Sequence, residues 1–392
     1  MRRRTLLGAG LALAASGFTA ARALAAPGTP LPGERRQRSL VLIELRGGND
    51  GLNTVVPFTD PAYYALRPRL ALPRGDVLPL GERAALHPAL APLLATWNDG
   101  RLAVLQGVGY PAPNLSHFRS IEIWDTASRS DEYVPDGWLA RSFAAVPLPA
   151  RFAADAVVIG SSDLGPFAGA GARALTLAST TEFVRRAQLV PPERPAADGN
   201  RALRHVLKVE ADIAAAAGKF AREQRQLPPF PQTPFGRTLA TACSVIANPD
   251  GVAALRVTLG GFDTHGNQLA TQARLLGELG QGLAALRFAL ESIGRWEDTL
   301  VLTYAEFGRR PKENLSGGTD HGTASVHFAL GGAVQGGLYG EPPPLDRLDA
   351  SGNLVHGIDF RSVYATALER WWGMASAPVL GSRFPPLAFL PA

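Results

Sequence analysis

The chain has 392 residues, a formal net charge of +5 and a single cysteine, Cys243. One cysteine excludes an intramolecular disulfide, and the apolar helical pattern around it predicts a buried structural thiol rather than a nucleophile. Residues 1–25 contain four arginines and no acid, so the remainder of the chain carries a charge of only +1. The basic balance therefore does not indicate a nucleic-acid-binding protein.

The first predicted element is a targeting segment. Three consecutive arginines lead into an Ala/Leu/Gly-rich apolar run that ends near Phe18, and Ala23-Leu24-Ala25 forms a small-x-small cleavage site. This pattern predicts a signal peptide over residues 1–25, and Arg3-Arg4 followed by x-Leu-Leu indicates the twin-arginine class. An uncleaved membrane anchor is the alternative, but the run is shorter than the roughly 20 residues that span a bilayer. We expect a periplasmic or secreted protein that meets the twin-arginine translocase during export, with no stable membrane span after cleavage.

The rest of the chain predicts one α/β domain over residues 39–392, after a flexible Pro- and Arg-rich lead at residues 26–38. Nearly continuous apolar runs predict buried strands at residues 40–45, 102–108, 156–159, 252–259, 299–304 and 326–330. Helical patterns separate them, most clearly at residues 268–293 and 360–372. This alternation predicts a doubly wound, mostly parallel sheet with helices on both faces. Pro-rich stretches near residues 58–90 and 188–235 are expected to be peripheral insertions.

Two pairs of acidic and histidine residues follow predicted strands. Asp263 and His265 lie two positions apart, so in an extended segment both side chains can reach one cation. Asp320 and His321 are adjacent and need a turn to converge, which the glycines on either side permit. A carboxylate oxygen together with imidazole nitrogen suits zinc or manganese, with magnesium and calcium as further possibilities. The alternative for Asp320-His321 is a polar loop whose histidine only forms hydrogen bonds.

Two more acids lie just past predicted strand ends, where ligands gather in open α/β sheets. Asp50 is a candidate metal ligand, but Asn-Asp-Gly is also favourable turn chemistry and leaves a turn role open. Glu306 is either a further ligand or the ion-pair partner of Arg309 or Arg310.

Ser116 is the candidate nucleophile, because helical spacing after it places it as the N-cap of a helix. A cap residue is the simpler interpretation. The two roles are compatible, since a helix N-terminus also stabilises an alkoxide or a bound phosphate or sulfate. His117 is a candidate ligand or general acid. Arg119 or Arg46 is a candidate clamp for an anionic group.

Two other histidines have distinct expectations. His327 lies inside an apolar strand pattern and is expected to be a buried histidine with its hydrogen bonds satisfied. His356 lies just before the last predicted helix and is a candidate late metal ligand.

Six segments in order resemble the secreted bacterial family called domain of unknown function 1501, a branch of the alkaline phosphatase and sulfatase superfamily. They are RGGNDGLN at 46–53, SHFRS at 116–120, GFDTH at 261–265, EFGR at 306–309, TDHGT at 319–323 and DFRSVY at 359–364. The resemblance implies an alkaline phosphatase-like fold with one or two divalent metals over a mostly parallel sheet. It implies a site composed of Asp50, Ser116, Asp263 with His265, Asp320 with His321, and His356.

Two departures separate the chain from that superfamily. The first acid–histidine pair has Asp-x-His spacing, tighter than the phosphatase Asp-x-x-x-His. The sulfatase signature Cys/Ser-x-Pro-x-Arg is absent from the sequence, so a formylglycine mechanism has no support. The sequence predicts a metal-dependent hydrolase of phosphate or sulfate esters, with a small anionic ester or a sulfated or phosphorylated glycan as substrate. A non-catalytic, metal-stabilised binding or assembly protein of the cell envelope is the alternative.

Replacing both Arg3 and Arg4 with lysine should leave precursor in the cytoplasm, because the translocase reads that arginine pair. Fractionation of cells expressing the parent and the double variant measures this. Unchanged delivery of the double variant to the periplasm would contradict the twin-arginine assignment.

Overall fold

The computed structural model describes residues 38–149, 152–169, 171–187, 214–219 and 226–392. The expected signal peptide, all of the lead except Arg38, and most of the insertion at residues 188–235 lie outside the described residues. Among the described residues, no helix is both long enough and apolar enough to cross a bilayer.

A nine-stranded sheet forms the centre of the described fold, with eight strands in the order β13-β5-β12-β9-β1-β8-β6-β7 and β14 paired with β5. Its strands are β1 (Ser39–Arg46), β5 (Leu102–Gly109), β6 (Ala156–Ile159), β7 (Ala174–Leu177), β8 (Ala254–Gly260), β9 (Thr299–Tyr304), β12 (Ser325–Leu330), β13 (Gly337–Tyr339) and β14 (Ile358–Asp359). β12 runs antiparallel to both of its neighbours, and the other pairings are parallel. The expected mostly parallel sheet is confirmed, and the carboxyl ends of its parallel strands share one edge.

Helices cover both faces of this sheet. The α-helices are α1 (Gly51–Thr54), α2 (Pro61–Leu66), α3 (Leu94–Asn98), α4 (His117–Thr126), α5 (Trp138–Ala145), α6 (Thr180–Ala187), α7 (Pro234–Ala247), α8 (Gln268–Ser292), α9 (Phe360–Thr366) and α10 (Ala377–Leu380). Short 3-10 helices span Pro88–Leu93 and Gly165–Phe167, a π-helical turn spans Ala367–Trp371, and residues 214–219 are helical.

β1 shows why the strand runs are continuously apolar. Val41 and Ile43 pack into a core with α7 and α8, whereas Leu40 and Leu42 pack into a second core with α4, α5 and α9. Successive side chains of a strand point to opposite faces. A strand covered by helices on both faces therefore reads as a nearly continuous apolar run, which in β1 is interrupted by the buried Glu44 and its partner Arg256 of β8. The doubly wound prediction is confirmed.

Two small sheets lie outside the central one. One joins β2 (Val55–Val56), β4 (Ala85–Leu86) and β3 (Leu78–Pro79), so the expected insertion at residues 58–90 contains a separate three-stranded unit. The other pairs β10 (Gly308–Arg309) with β11 (His321–Gly322) in antiparallel register. This second pairing closes the 311–320 loop, which joins the two strands.

Cys243 and His327 are the two residues that the sequence predicted to be buried in the core. Cys243 is buried in α7, and burial raises the pKa of its thiol to about 12, which fits a structural thiol. His327 in β12 is buried too, but neither of its ring nitrogens has a hydrogen-bond partner among the described residues, so the expectation of a satisfied histidine is wrong. Its ring packs edge-to-face against Trp124, and burial lowers the pKa of His327 to about 3.

Candidate metal centre

The acidic and histidine side chains converge at the edge where the parallel strands end. His117 is the first residue of α4, which follows β5, and Asp263 and His265 lie in the loop after β8. His321 begins β11 and approaches the same edge from the segment that leads into the antiparallel β12. Three chain segments therefore supply one cluster.

The cluster is centred on the carboxylate of Asp263. Its Oδ1 lies 3.0 Å from Nε2 of His265 and 3.1 Å from Nε2 of His321. Its Oδ2 lies 3.4 Å from Nε2 of His117. The Nε2 atoms of His265 and His321 are 3.0 Å apart. Ligand atoms of His117, Asp263 and His321 all lie within 4.8 Å of one another.

The outward-facing ring nitrogens identify the tautomers. Nδ1 of His321 lies 2.9 Å from the carbonyl of Leu115, which can only accept, so Nδ1 carries the proton. Nδ1 of His117 lies 2.9 Å from Oε1 of Glu306, which likewise accepts. Nδ1 of His265 faces Oδ1 of Asp320 at 3.6 Å. The inward Nε2 atoms of His117 and His321 therefore present lone pairs to the cluster.

Lone pairs that face a carboxylate oxygen repel unless positive charge lies between them. Burial lowers the pKa of His321 despite the hydrogen bond to the carbonyl of Leu115, which favours the neutral ring. Neutral imidazoles held by a second hydrogen bond at Nδ1 are the usual ligands of zinc. The donor set of Asp263, His117, His265 and His321 fits a divalent cation.

Arg309 fixes the central carboxylate. Its buried guanidinium donates to Oδ1 of Asp263 at 2.6 Å and to the carbonyls of Gly48 at 2.8 Å and Thr319 at 2.9 Å. Burial opposes ionisation of Asp263, but the hydrogen bond and the positive charge of Arg309 outweigh it and lower the pKa of Asp263 to about 2. The sequence pattern indicated Arg309 only as a possible ion-pair partner of Glu306. It did not predict the contact between Arg309 and Asp263.

Glu306 is oriented toward the cluster rather than toward an arginine. Its Oε1 accepts from Nδ1 of His117 and from the backbone N–H of Gly47, both at 2.9 Å. Its Oε2 is buried and has no hydrogen-bond partner in the described part of the chain. The expected pairing of Glu306 with Arg309 or Arg310 is therefore wrong.

Close backbone packing at this edge requires glycine. Gly47 has a φ of +113°, and a Cβ there would lie 2.3 Å from the backbone nitrogen of Asp263. Gly318 would place a Cβ 2.3 Å from the backbone carbonyl carbon of His265. Two glycine-containing loops can thus approach the Asp263–His265 segment more closely than residues with side chains allow.

The structure does not bring Asp50 into the cluster. Its carboxylate forms a buried ion pair with Arg67, at 2.6 and 3.0 Å. It also accepts from the N–H of Leu52 as the N-cap of α1 and from the side chain of Gln268. The sequence pattern left ligand and turn roles open, and the contacts correspond to the turn role.

Arg119 and Arg46, the two arginines expected to bind an anionic group, form hydrogen bonds to other parts of the protein. Nη2 of Arg119 donates to the carbonyls of Arg129, Ser130 and Glu132. Its guanidinium lies 3.9 Å from the ring centroid of Tyr133. Arg46 makes two hydrogen bonds to Glu44 beside it, at 3.0 and 3.1 Å. Arg119 therefore holds the 129–132 loop in place.

Ser116 occupies the N-cap position of α4, as the helical spacing predicted. Its side chain is exposed and makes no capping hydrogen bond. The first N–H groups of α4 consequently lack a side-chain acceptor at their N-cap, and the Ser116 hydroxyl remains available. Adjacent His117 belongs to the cluster, which places this helix start beside it.

Two further predicted ligands lie at different distances from the cluster. Asp320 lies just outside it, with Oδ1 3.2 Å from the amide nitrogen of Asn314 and 3.6 Å from His265. His356 is not brought into the group, and its Cβ packs against Gly109 at the end of β5. Burial lowers the pKa of His356.

The chain belongs to the family described as protein of unknown function (DUF1501), whose profile matches residues 77–381. This confirms the family resemblance, and five of the six ordered segments lie within the matched residues. No curated protein matches the sequence.

Among solved structures, the chain is similar to the C-terminal periplasmic domain of EptC from Escherichia coli in complex with zinc. The identity is 10%, with 75% of this chain and 72% of that chain covered and a TM-score of 0.39. It is similar to lipoteichoic acid synthase LtaP from Listeria monocytogenes at 10% identity, with 80% and 68% covered and a TM-score of 0.33. It is also similar to alkaline phosphatase from the Antarctic bacterium TAB5 at 10% identity, with 77% and 94% covered and a TM-score of 0.31.

Replacing Arg67 with methionine should cost roughly 3 to 5 kcal/mol of unfolding free energy, because it leaves the buried Asp50 carboxylate without its cation. The metal content of the folded fraction should stay that of the parent. Chemical denaturation and elemental analysis measure the two quantities.

The matched control is Arg185→Met, which breaks the exposed pair with Glu182 and should change stability by less than about 1 kcal/mol. If Arg67→Met kept its stability but lost its metal, Asp50 would have to be counted as a metal ligand.

Proposed function

We propose that this protein is an exported, metal-dependent hydrolase of phosphate or sulfate esters. One observation carries the proposal: imidazole Nε2 atoms from three segments face the two oxygens of Asp263, and two of them approach each other to 3.0 Å. Imidazole nitrogens and a carboxylate have little reason to assemble in this way without a cation. The twin-arginine pattern at the N-terminus supports the export part of the proposal.

The residues that would hold the cation are His117, Asp263, His265 and His321, and zinc matches this set best. A bound divalent cation would polarise an ester oxygen and lower the pKa of a hydroxyl group or water. Arg309 keeps Asp263 ionised and fixed, while Glu306 keeps the His117 proton on Nδ1. These two residues prepare the donor atoms before any substrate arrives.

The start of α4 offers the chemistry for an anionic ester. Its free N–H groups and the helix dipole favour a phosphate or sulfate oxygen there. The exposed hydroxyl of Ser116 lies at the same helix start, one residue before His117. Ser116 is therefore the candidate nucleophile, and an activated water is the alternative attacking group. The helix start takes the anion-binding role that the sequence assigned to Arg119 or Arg46.

A non-catalytic, metal-stabilised binding or assembly protein of the cell envelope is the second candidate. It is favoured by the way the cluster joins three separate segments, since a cation there would stabilise the fold without any chemistry. Turnover of aryl phosphates and aryl sulfates, measured with and without a chelator, separates the candidates. Chelator-sensitive turnover supports the hydrolase, whereas metal binding without turnover across such a screen supports the second candidate.

Asp263→Asn should remove most of the bound metal and lower the melting temperature, because a ligand that binds only the folded state stabilises it. At free metal of 100 to 1,000 times Kd the loss is about 3 to 4 kcal/mol. Asp320→Asn should weaken metal binding less, roughly 10- to 100-fold in affinity, because Asp320 acts through His265. Elemental analysis and calorimetry measure these effects.

His356→Ala is the matched control, since it removes an imidazole outside the cluster. It should retain the metal content of the parent. Equal metal occupancy in the parent and in Asp263→Asn would remove the cluster as the binding site.

Ser116→Ala and Ser116→Asp test the covalent mechanism. Because the native serine makes no capping bond, alanine should cost less than the roughly 1 kcal/mol usual for an N-cap. Aspartate should preserve or strengthen the helix start. If Ser116 is the nucleophile, both variants should lose turnover while remaining folded and metal-loaded. Retention of most of the parental rate by Ser116→Ala would instead assign the attack to water.

A further inference from the structure

A cleft separate from the metal centre lies at the same edge of the sheet. Its lining residues come from four segments, 111–112, 127–132, 359–361 and 380–384. Its volume is about 940 Å³, within the range of roughly 300 to 1,000 Å³ that small-ligand sites occupy. The structure describes all of the candidate metal ligands, and none of them lines this cleft.

The cleft is built on the elements that also position the metal centre. One wall is fixed by Arg119 in the first turn of α4, which donates to the carbonyls of Arg129 and Ser130 at 3.2 Å each. A second wall follows β14, whose Asp359 pairs with Gly109 at the end of β5. Both walls therefore lie beyond the carboxyl ends of parallel strands, which is the usual position of ligand sites in open α/β sheets.

Arg361 presents a fixed hydrogen-bond donor in the cleft. The residue is only 6% exposed. Its Nε and Nη2 donate to the two oxygens of Asp359 at 2.8 and 2.6 Å, and its guanidinium lies 4.6 Å from the ring centroid of Phe384. Nη1 has no hydrogen-bond partner among the described residues and is not fully buried. A donor that is held in place before a ligand arrives loses little conformational entropy on binding.

The charged residues that line the cleft form two ion pairs and leave one acid over. The pairs, each with an N–O distance of 2.6 Å, and the remaining acid are Arg129–Asp131, Arg361–Asp359 and Glu132. Two arginines against three acids give a net charge of −1, and the exposed Arg383 beside the lining offsets it. A strongly charged ligand would therefore find no excess of opposite charge in this cleft.

These features match a saccharide. Sugar hydroxyls both donate and accept hydrogen bonds, so they can use Nη1 of Arg361, the lining carboxylates and the hydroxyls of Ser130 and Ser382. The apolar C–H face of a sugar ring can pack against Leu380 and Phe384. A peptide fits less well, since peptides often bind by adding a strand to an open sheet edge, and β14 has only two residues.

We propose that this cleft binds an uncharged saccharide unit and that Arg361 recognises its hydroxyl groups. The proposal does not depend on the hydrolase function, because no candidate metal ligand lines the cleft. It applies equally to a metal-stabilised binding protein of the cell envelope.

An array of immobilised oligosaccharides tests the proposal with the purified full chain. The array contains neutral, sulfated and phosphorylated members, and the strongest-binding member is then titrated by calorimetry. We expect its affinity to change less than about threefold between about 50 and 500 mM sodium chloride, because salt screens only charge–charge contacts.

Two variants locate the binding. Ser382→Trp fills the cleft from an exposed position, and it should weaken the saccharide about tenfold or more while the melting temperature and metal content stay those of the parent. Arg361→Lys keeps a positive charge beside Asp359 but removes the planar fork, and it should weaken binding by a similar factor.

Ser292→Trp is the matched control. This exposed serine ends α8, which leads from the end of β8 to the start of β9, so it lies at the opposite edge of the sheet. The variant should bind the saccharide as the parent does.

No binding of the parent to any array member overturns the proposal, and so does a change in affinity of more than about threefold over that salt range. Binding that Ser382→Trp leaves unchanged, or that Ser292→Trp weakens equally, places the saccharide elsewhere and also overturns it. Full affinity in Arg361→Lys with loss in Ser382→Trp keeps the cleft and overturns the role of Arg361. If no saccharide binds and a tryptic digest of casein raises the melting temperature of the parent but not of Ser382→Trp, the cleft is a peptide site instead.

Discussion

The buried guanidinium of Arg309 is the contact on which the site depends. It donates to the carbonyls of Gly47 and Gly48 after β1, Phe262 after β8 and Thr319 before β11, and to the carboxylate of Asp263. A planar group with five donors can satisfy several loops at once, which a lysine cannot. Asp263 neutralises the buried charge and is in turn held toward the histidines. The loops that carry the candidate ligands are thus fixed by one side chain that is not a ligand.

Sheet topology explains why distant residues meet. Parallel strands deliver the loops after β1, β5, β8 and β9 to one edge, because their carboxyl ends coincide there. β12 is antiparallel, so its amino end lies at that edge. The residues that reach the candidate metal centre therefore precede this strand. His321 therefore lies before its strand, whereas Asp263 and His265 follow theirs. The β10–β11 pairing then brings the end of the 311–320 loop to Arg309, which donates to the carbonyl of Thr319.

The sequence predicted six of the nine strands of the central sheet, because those six read as nearly unbroken apolar runs. It missed β7 and β13, which are partly exposed, and β14, which has only two residues. It also selected Asp263, His265 and His321, since acid–histidine pairs near strand ends are a local pattern. Asp50 shows where local patterns stop being informative. Its partner Arg67 lies 17 residues away in a Pro-rich stretch, and nothing in the spacing indicates that the two pair. Arg119 is similar, because its acceptors are backbone carbonyls that any sequence would provide.

Burial of His327 in the central sheet makes the stability of the protein depend on pH. The unfolded chain binds a proton at this imidazole near its ordinary pKa of 6.5, whereas the folded state excludes the proton until about pH 3. Its contribution to stability is therefore complete above pH 6.5 and falls as the medium acidifies through this interval. Folding and proton release are linked at this buried position. Acid in this interval would thus lower the free energy of unfolding through a buried residue, which makes acid tolerance a property of the core.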